Sequence, residues 1–162
     1  MEWARSIALA LAAVLIVRGF VFTVVRVDGR SMADTLLDGD LAAVTLWDMR
    51  TGAPRRGDVV ICAFPGERTL SVKRVVGLPG ETVEIAGGVT YIDGRPLEED
   101  YLTHPTAQAF GPFTVEAGRY FVMGDNRALS RDSREVGAID GGAIYGRVRY
   151  VLWPPGRFGP VA

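Results

Sequence analysis

Three short segments concentrate the residues able to do chemistry. The first, Val27-Asp28-Gly29-Arg30-Ser31-Met32-Ala33-Asp34-Thr35-Leu36, sets a serine beside a glycine. A glycine turn can expose a hydroxyl and lets another backbone approach closely. Alone the pattern says little, because most serines in turns bond only to nearby backbone. The second, residues 71–81, runs Ser-Val-Lys-Arg-Val-Val-Gly-Leu-Pro-Gly-Glu. Strand alternation puts Ser71, Lys73 and Val75 on one face and Val72, Arg74 and Val76 on the other. If such a strand has one buried side, one cation faces inward, which is costly unless it is paired or neutralised. Arginine keeps its proton in a protein, whereas a desolvated lysine can lose it and serve as a general base. The alternative is an edge strand with both cations in water. The third segment, residues 124–134, packs Asp125, Asp132, three Arg, Ser130, Ser133 and Asn126 into a turn-rich stretch. It is either a solvated loop or a hydrogen-bond and ion-pair scaffold whose hydroxyls position an amine.

Residues that occur once narrow the chemistry further. The chain has one Cys (Cys62), one His (His104), one Asn and one Lys, and 17 of its 18 basic residues are Arg. A structural zinc site needs about four Cys or His ligands and a disulfide needs two Cys, so neither forms within this chain, and no cofactor or metal is expected. A Ser-His-Asp triad would have to use His104, which sits beside Pro105 and is expected to be an ordinary loop residue. Cys62 is expected to be a small core residue in its strand. A net charge of −1 fits neither a polybasic nucleic-acid binder nor, with 48% hydrophobic residues, a disordered chain.

The elements that must position these segments are short strands. Gly at 20 of 162 residues, with 20 Val and 7 Ile, favours turns and strands over long helices. Strands are expected over 41–46, 58–64, 71–76, 82–85, 89–92, 113–115, 120–123 and 144–152, with turn signals at Asp38-Gly39, Pro79-Gly80, Gly87-Gly88, Asp93-Gly94, Gly124-Asp125 and Gly141-Gly142. The spacing predicts a mainly β protein, an antiparallel barrel-like or sandwiched sheet. Ahead of it, residues 4–25 carry only Arg5 and Arg18 as charges. As a helix they would be about 33 Å long, enough for a ~30 Å hydrocarbon core. The purely apolar part, 6–17, also fits a signal-peptide core or a buried helix, but no small-x-small cleavage pattern follows it. The expectation is an uncleaved anchor helix over 1–25 and a β-rich domain over 26–162, with a small inserted lobe at about 80–120. Arg18 would snorkel toward an interface, with Trp3, Phe20 and Phe22 as interfacial aromatics. Charge alone does not orient this anchor, since Arg5 is outweighed by Arg18, Arg26 and Arg30.

In this order the three segments resemble the sequence boxes of bacterial type I signal peptidases: Ser-Met-x-Pro-Thr-Leu, Lys-Arg-x-x-Gly-x-Pro-Gly-Glu and Gly-Asp-Asn…Ser-x-Asp-Ser-Arg. Here they stand as 31–36, 73–81 and 124–134, and the likeness extends through Gly39-Asp40, Arg56-Gly57-Asp58, 91–102 and 146–155. The resemblance implies a Ser/Lys protease that removes signal peptides from secretory preproteins at the outer face of the bacterial cytoplasmic membrane, after small residues in an Ala-x-Ala pattern. Its partners would be those preproteins and the lipid bilayer. It implies Ser31 as nucleophile and Lys73 as general base, Ser130 as the hydroxyl that orients the amine, and Asp132, Arg134, Asp125 and Arg74 as supporting ion-pair residues. Lys73 must then lose affinity for its proton, and because Arg74 points to the other face, burial should dominate over like-charge repulsion.

The oxyanion site would use the Ser31 backbone N–H. The position two residues earlier, which is a serine donor in some relatives, is Gly29 and brings no side chain. Met32, Leu36 and Val72 are the candidates for shallow apolar substrate pockets, and an extended substrate could add to a strand edge nearby. One departure stands out: the box's proline is Asp34. Facing the amine, its carboxylate would hold Lys73 protonated; facing away, it is an ordinary turn residue. Two other functions fit parts of the pattern. A cytosolic Ser/Lys autoprotease shares the dyad but neither the apolar N-terminal segment nor the third box. A membrane-anchored β-domain that binds exported chains without cutting them would have Asp34 as its lesion.

Overall fold

Runs of Val, Ile, Thr and aromatic residues separated by glycine turns build two antiparallel sheets. A computed structural model describes residues 3, 5–7, 22–46 and 52–161. The strands are β1 (Phe22–Arg26), β2 (Leu41–Thr45), β3 (Val59–Ala63), β4 (Leu70–Gly77), β5 (Thr82–Ala86), β6 (Val89–Ile92), β7 (Arg95–Pro96), β8 (Phe110–Thr114), β9 (Arg119–Met123), β10 (Ile139–Asp140), β11 (Ile144–Trp153) and β12 (Gly159–Pro160). One short helix, α1 (Ser133–Val136), precedes β10. The main sheet runs β1-β2-β11-β3-β4-β9-β10 with β12 beside β11, and the second runs β7-β6-β5-β8. The ten-residue β11 pairs with β3 through Ile144, Gly146 and Arg147, then with β2 from Arg147 to Trp153. Register shifts along it bend the sheet as it changes partner.

All eight expected strands form, with ends displaced by three residues at most. The N-terminal expectation is corrected in part. Phe22–Arg26 is not the end of a helix but an edge strand, paired with Leu41–Thr45. The run Phe-Thr-Val-Val is β-branched and aromatic, and with Arg26 it gains five ladder positions on β2 that a helix would leave unused. Trp3 and residues 5–7 are helical, and among the described residues no helix is long and apolar enough to cross a membrane. The rest of the expected anchor, with Arg18 and Phe20, lies outside the described residues.

The alternation on β4 holds, but its consequence differs from either expectation. This strand lies between β3 and β9, and both of its faces are covered. Val75, on the Lys73 face, packs with Val60, Cys62 and Val122. On the Arg74 face, Val76 packs with Phe121 and Met123, and Val72 against a cluster that holds Met32, Leu36, Val59 and Ile61. Lys73 and Arg74 are therefore both buried, at 3% and 1% exposure. Full burial of each such Val, Leu or Phe is worth roughly 1.5–3 kcal/mol. The core thus holds the strand while the two cations need separate solutions.

Candidate active site

Ser31 stands in the turn between β1 and β2, and the turn is pinned from both sides. Met32 and Leu36 point into the core. The Leu36 and Thr35 amides donate to the Met32 carbonyl at 2.8 and 3.1 Å, and the Gly29 amide donates to Asp38 Oδ1 at 2.9 Å. From across the chain, the Asn126 amide donates to the Ser31 carbonyl at 3.0 Å. Gly124 permits that crossing. A Cβ there would lie 2.2 Å from Ser130 Oγ and 2.3 Å from the Ser31 carbonyl oxygen.

Lys73 Nζ lies 2.9 Å from Ser31 Oγ and donates to the Val72 carbonyl at 3.1 Å. Burial lowers its pKa from 10.5, against weaker upward pulls from Cys62, Asp132 and Asp125. Desolvation thus dominates, as the opposite facing of Arg74 implied. The pulls are blunted by local chemistry. Burial pushes the Cys62 thiol up to about 12, so it is neutral at ordinary pH. Each carboxylate already has a guanidinium: Asp125 accepts from Arg74 Nε at 2.9 Å and Nη2 at 2.7 Å, and Asp132 from Arg134 Nε at 2.9 Å and Nη2 at 2.8 Å. Burial alone would raise Asp132, but the Arg134 hydrogen bonds and the Gly124 amide outweigh it and hold the carboxyl below 3.8. Asp132 also caps α1 through the Arg134 amide.

Arg74 is the buried cation that cannot deprotonate, and it is fully partnered. Besides Asp125 it donates to the Gly57 carbonyl at 2.9 Å and Thr35 Oγ1 at 3.2 Å, and it stacks 3.8 Å from the centre of the Tyr101 ring. Thr35 Oγ1 donates to Asp125 in turn. The nucleophile turn, β4 and the 124–134 segment are thereby tied at one point. Sequence reasoning missed the layer behind it. The Tyr101 hydroxyl donates to Glu99 at 2.6 Å, and Glu99 is gripped by Arg127, which also donates to Thr90, Thr106 and the Gly124 carbonyl. The available signal was the arginine excess of the third segment, three Arg against two Asp, which sends Arg127 to a carboxylate outside it, Glu99.

The remaining candidates separate. Ser130 is buried against Gly124, and among the described residues its hydroxyl makes no hydrogen bond, to Lys73 or to any other group. A cleft of about 130 Å³ is lined by Gly29, Ser31, Met32, Val72 and Lys73, together with Arg26, Asp28 and Leu70. Leu36 does not line it, being fully buried in the core behind the turn. Gly29 lines the cleft, but its amide is spent on Asp38, which leaves it no donor for an oxyanion. Asp34 is exposed and bonded to Thr103, and it is not among the charges that act on Lys73. His104 lies on the far side of that contact, bonded to Thr103 at 2.8 Å.

Comparison with known proteins gives the family. A family model described as signal peptidase, peptidase S26, matches residues 1–153. Signal peptidase I of Bacillus licheniformis is 38% identical over 94% of this chain and 88% of its own. Signal peptidase IB of Staphylococcus aureus is 34% identical over 98% of this chain and 92% of its own. The crystal structure of a signal peptidase I from Enterococcus faecalis V583 superposes with a TM-score of 0.53 at 36% identity, covering 62% of this chain and 97% of that one. The chain belongs to the signal peptidase S26 family and is a serine endopeptidase.

Proposed function

We propose that the protein is a membrane-anchored signal peptidase I that cuts signal peptides from secretory preproteins, with Ser31 as nucleophile and neutral Lys73 as general base. The observation that carries this reading is the chain's single lysine, buried and 2.9 Å from the Ser31 hydroxyl. As the Ser31 oxygen attacks the scissile carbonyl carbon, its proton passes to Nζ. The tetrahedral oxyanion forms against the Ser31 amide, which among the described residues donates to no other group. The Lys73 ammonium then protonates the departing amine, releasing the mature chain and leaving an acyl-serine. Water, deprotonated by Lys73, hydrolyses the ester. Ser130 makes no hydrogen bond to Lys73 among the described residues, so orienting the ammonium would require its hydroxyl to turn toward Nζ.

The narrow cleft beside Met32 and Val72 suits an alanine side chain better than a large one, in keeping with cleavage after Ala-x-Ala. The edge of β1, unpaired among the described residues, offers backbone groups to an extended signal peptide. The apolar residues 6–17 directly before this domain would hold it at the outer face of the cytoplasmic membrane. The test is cleavage of a preprotein carrying an Ala-x-Ala site by detergent-solubilised full-length protein, with the cut mapped by mass. Wild type should cut after the second Ala, while Ser31→Ala and Lys73→Arg are silent. Silence of the wild type over about pH 7–10, or an active Lys73→Arg, would overturn the reading.

A further inference from the structure

The turn that carries Ser31 holds one residue in a backbone conformation that L side chains disfavour. Asp34 has φ 96°, in the left-handed region that L side chains seldom enter, although Asp and Asn tolerate it best. A proline, which the related sequence box carries here, is locked near −65° and cannot take this conformation. The turn is therefore held by other means. Its two ends are fixed: the Ser31 carbonyl accepts from Asn126, and the Thr35 carbonyl accepts from Arg157 at 3.0 Å. Between them, the Asp34 carboxylate accepts from the Thr103 hydroxyl at 2.6 Å. Thr103 comes from the segment between β7 and β8 and is remote in sequence. Its single hydroxyl hydrogen is spent on Asp34, so the 2.8 Å contact with His104 Nδ1 requires the ring N–H to donate to Thr103. Thr103 is thus oriented toward Asp34 by a second group.

We infer that Thr103 is a positioning residue for the nucleophile: by holding Asp34 in its left-handed conformation it fixes the turn that presents Ser31 to Lys73, replacing the constraint that proline supplies in the related box. The inference rests on the proposed roles of Ser31 and Lys73, and it makes a specific coupling prediction. Thr103→Val should lower kcat for preprotein cleavage about fivefold, the scale of one solvent-accessible hydrogen bond, with KM within about twofold of wild type. Thr103→Ser, which keeps the hydroxyl, should restore kcat. In an Asp34→Gly background, where glycine takes φ 96° without help, Thr103→Val should change kcat by less than about twofold. An equal loss in both backgrounds, or no rescue by serine, would overturn the inference. Amide hydrogen exchange at Thr35 and Leu36 reads the same turn without reference to chemistry. Exchange should quicken in Thr103→Val and not in the double variant; unchanged exchange in Thr103→Val would also overturn it. A silent wild type would sink the peptidase reading while this exchange cycle still decides Thr103.

Discussion

Asp125→Asn separates the stability of the site from its chemistry, because the two should move in opposite directions. The substitution keeps the side chain's shape but removes the carboxylate that faces Arg74, whose side chain is 2% exposed, across hydrogen bonds of 2.9 and 2.7 Å. Removing one partner of a buried ion pair costs about 3–5 kcal/mol, since the remaining charge stays buried and unbalanced. With a urea m-value of about 2 kcal/mol per M, the unfolding midpoint should fall by about 2 M. Replacing both partners, as Arg74→Met with Asp125→Leu, should recover most of that loss, because a packed apolar pair needs no compensation. Asp125 also pulls the Lys73 pKa upward, so its removal should let burial lower that pKa further. The acid limb of kcat/KM against pH, measured on the folded fraction in cleavage of an Ala-x-Ala preprotein, should shift to lower pH in Asp125→Asn. A midpoint change below about 0.5 M, or an acid limb displaced to higher pH, would refute this account of the Arg74–Asp125 lock.

Gly124→Ala should abolish cleavage, a loss of more than about 100-fold, and cost about 1–3 kcal/mol in urea unfolding, because its Cβ would collide with Ser130 and the Ser31 carbonyl. Lys73→Met should be more stable than wild type at neutral pH. Since the folded pKa of Lys73 lies below 10.5, wild-type stability rises as pH climbs through that folded value toward 10.5, and the variant's advantage should shrink over the same window in parallel urea titrations. Burial raises and Arg127 more than offsets the pKa of Glu99, leaving it below 4.5. Its contribution is thus present above 4.5 and lost as pH falls through the folded value, so Glu99→Gln should cost about 1–3 kcal/mol at neutral pH and progressively less in acid unfolding curves.

How much of this was legible in the sequence depended on whether a feature was local. The eight strands with alternating or β-branched patterns and glycine turns could be placed from the chain alone. Residues 22–25 could not, since an apolar Phe-Thr-Val-Val suits the end of a membrane helix and a strand alike until β2 is there to pair with it. Ser31 and Lys73 stood out through the three boxes and the single lysine. That Lys73 and Arg74 are both buried did not, because alternation gives opposite facing but not how many layers cover a strand. The partners that make this tolerable lie far along the chain: Asp125 is 51 residues from Arg74, and Thr103 is 69 from Asp34. Leu36, a candidate for the substrate pocket, is instead sent into the core by the turn's geometry, which no local pattern reveals.

The central claim, that burial keeps Lys73 neutral enough to take the Ser31 proton, can be tested on one nucleus. The chain holds a single lysine, so ε-¹³C-lysine labelling of the solubilised protein gives one side-chain resonance. Its chemical shift followed against pH should titrate below 10.5, and the rate of Ser31 acylation by a serine-directed inhibitor should rise along the same curve. A lysine that titrates at or above 10.5, or acylation that ignores the titration, would contradict the account.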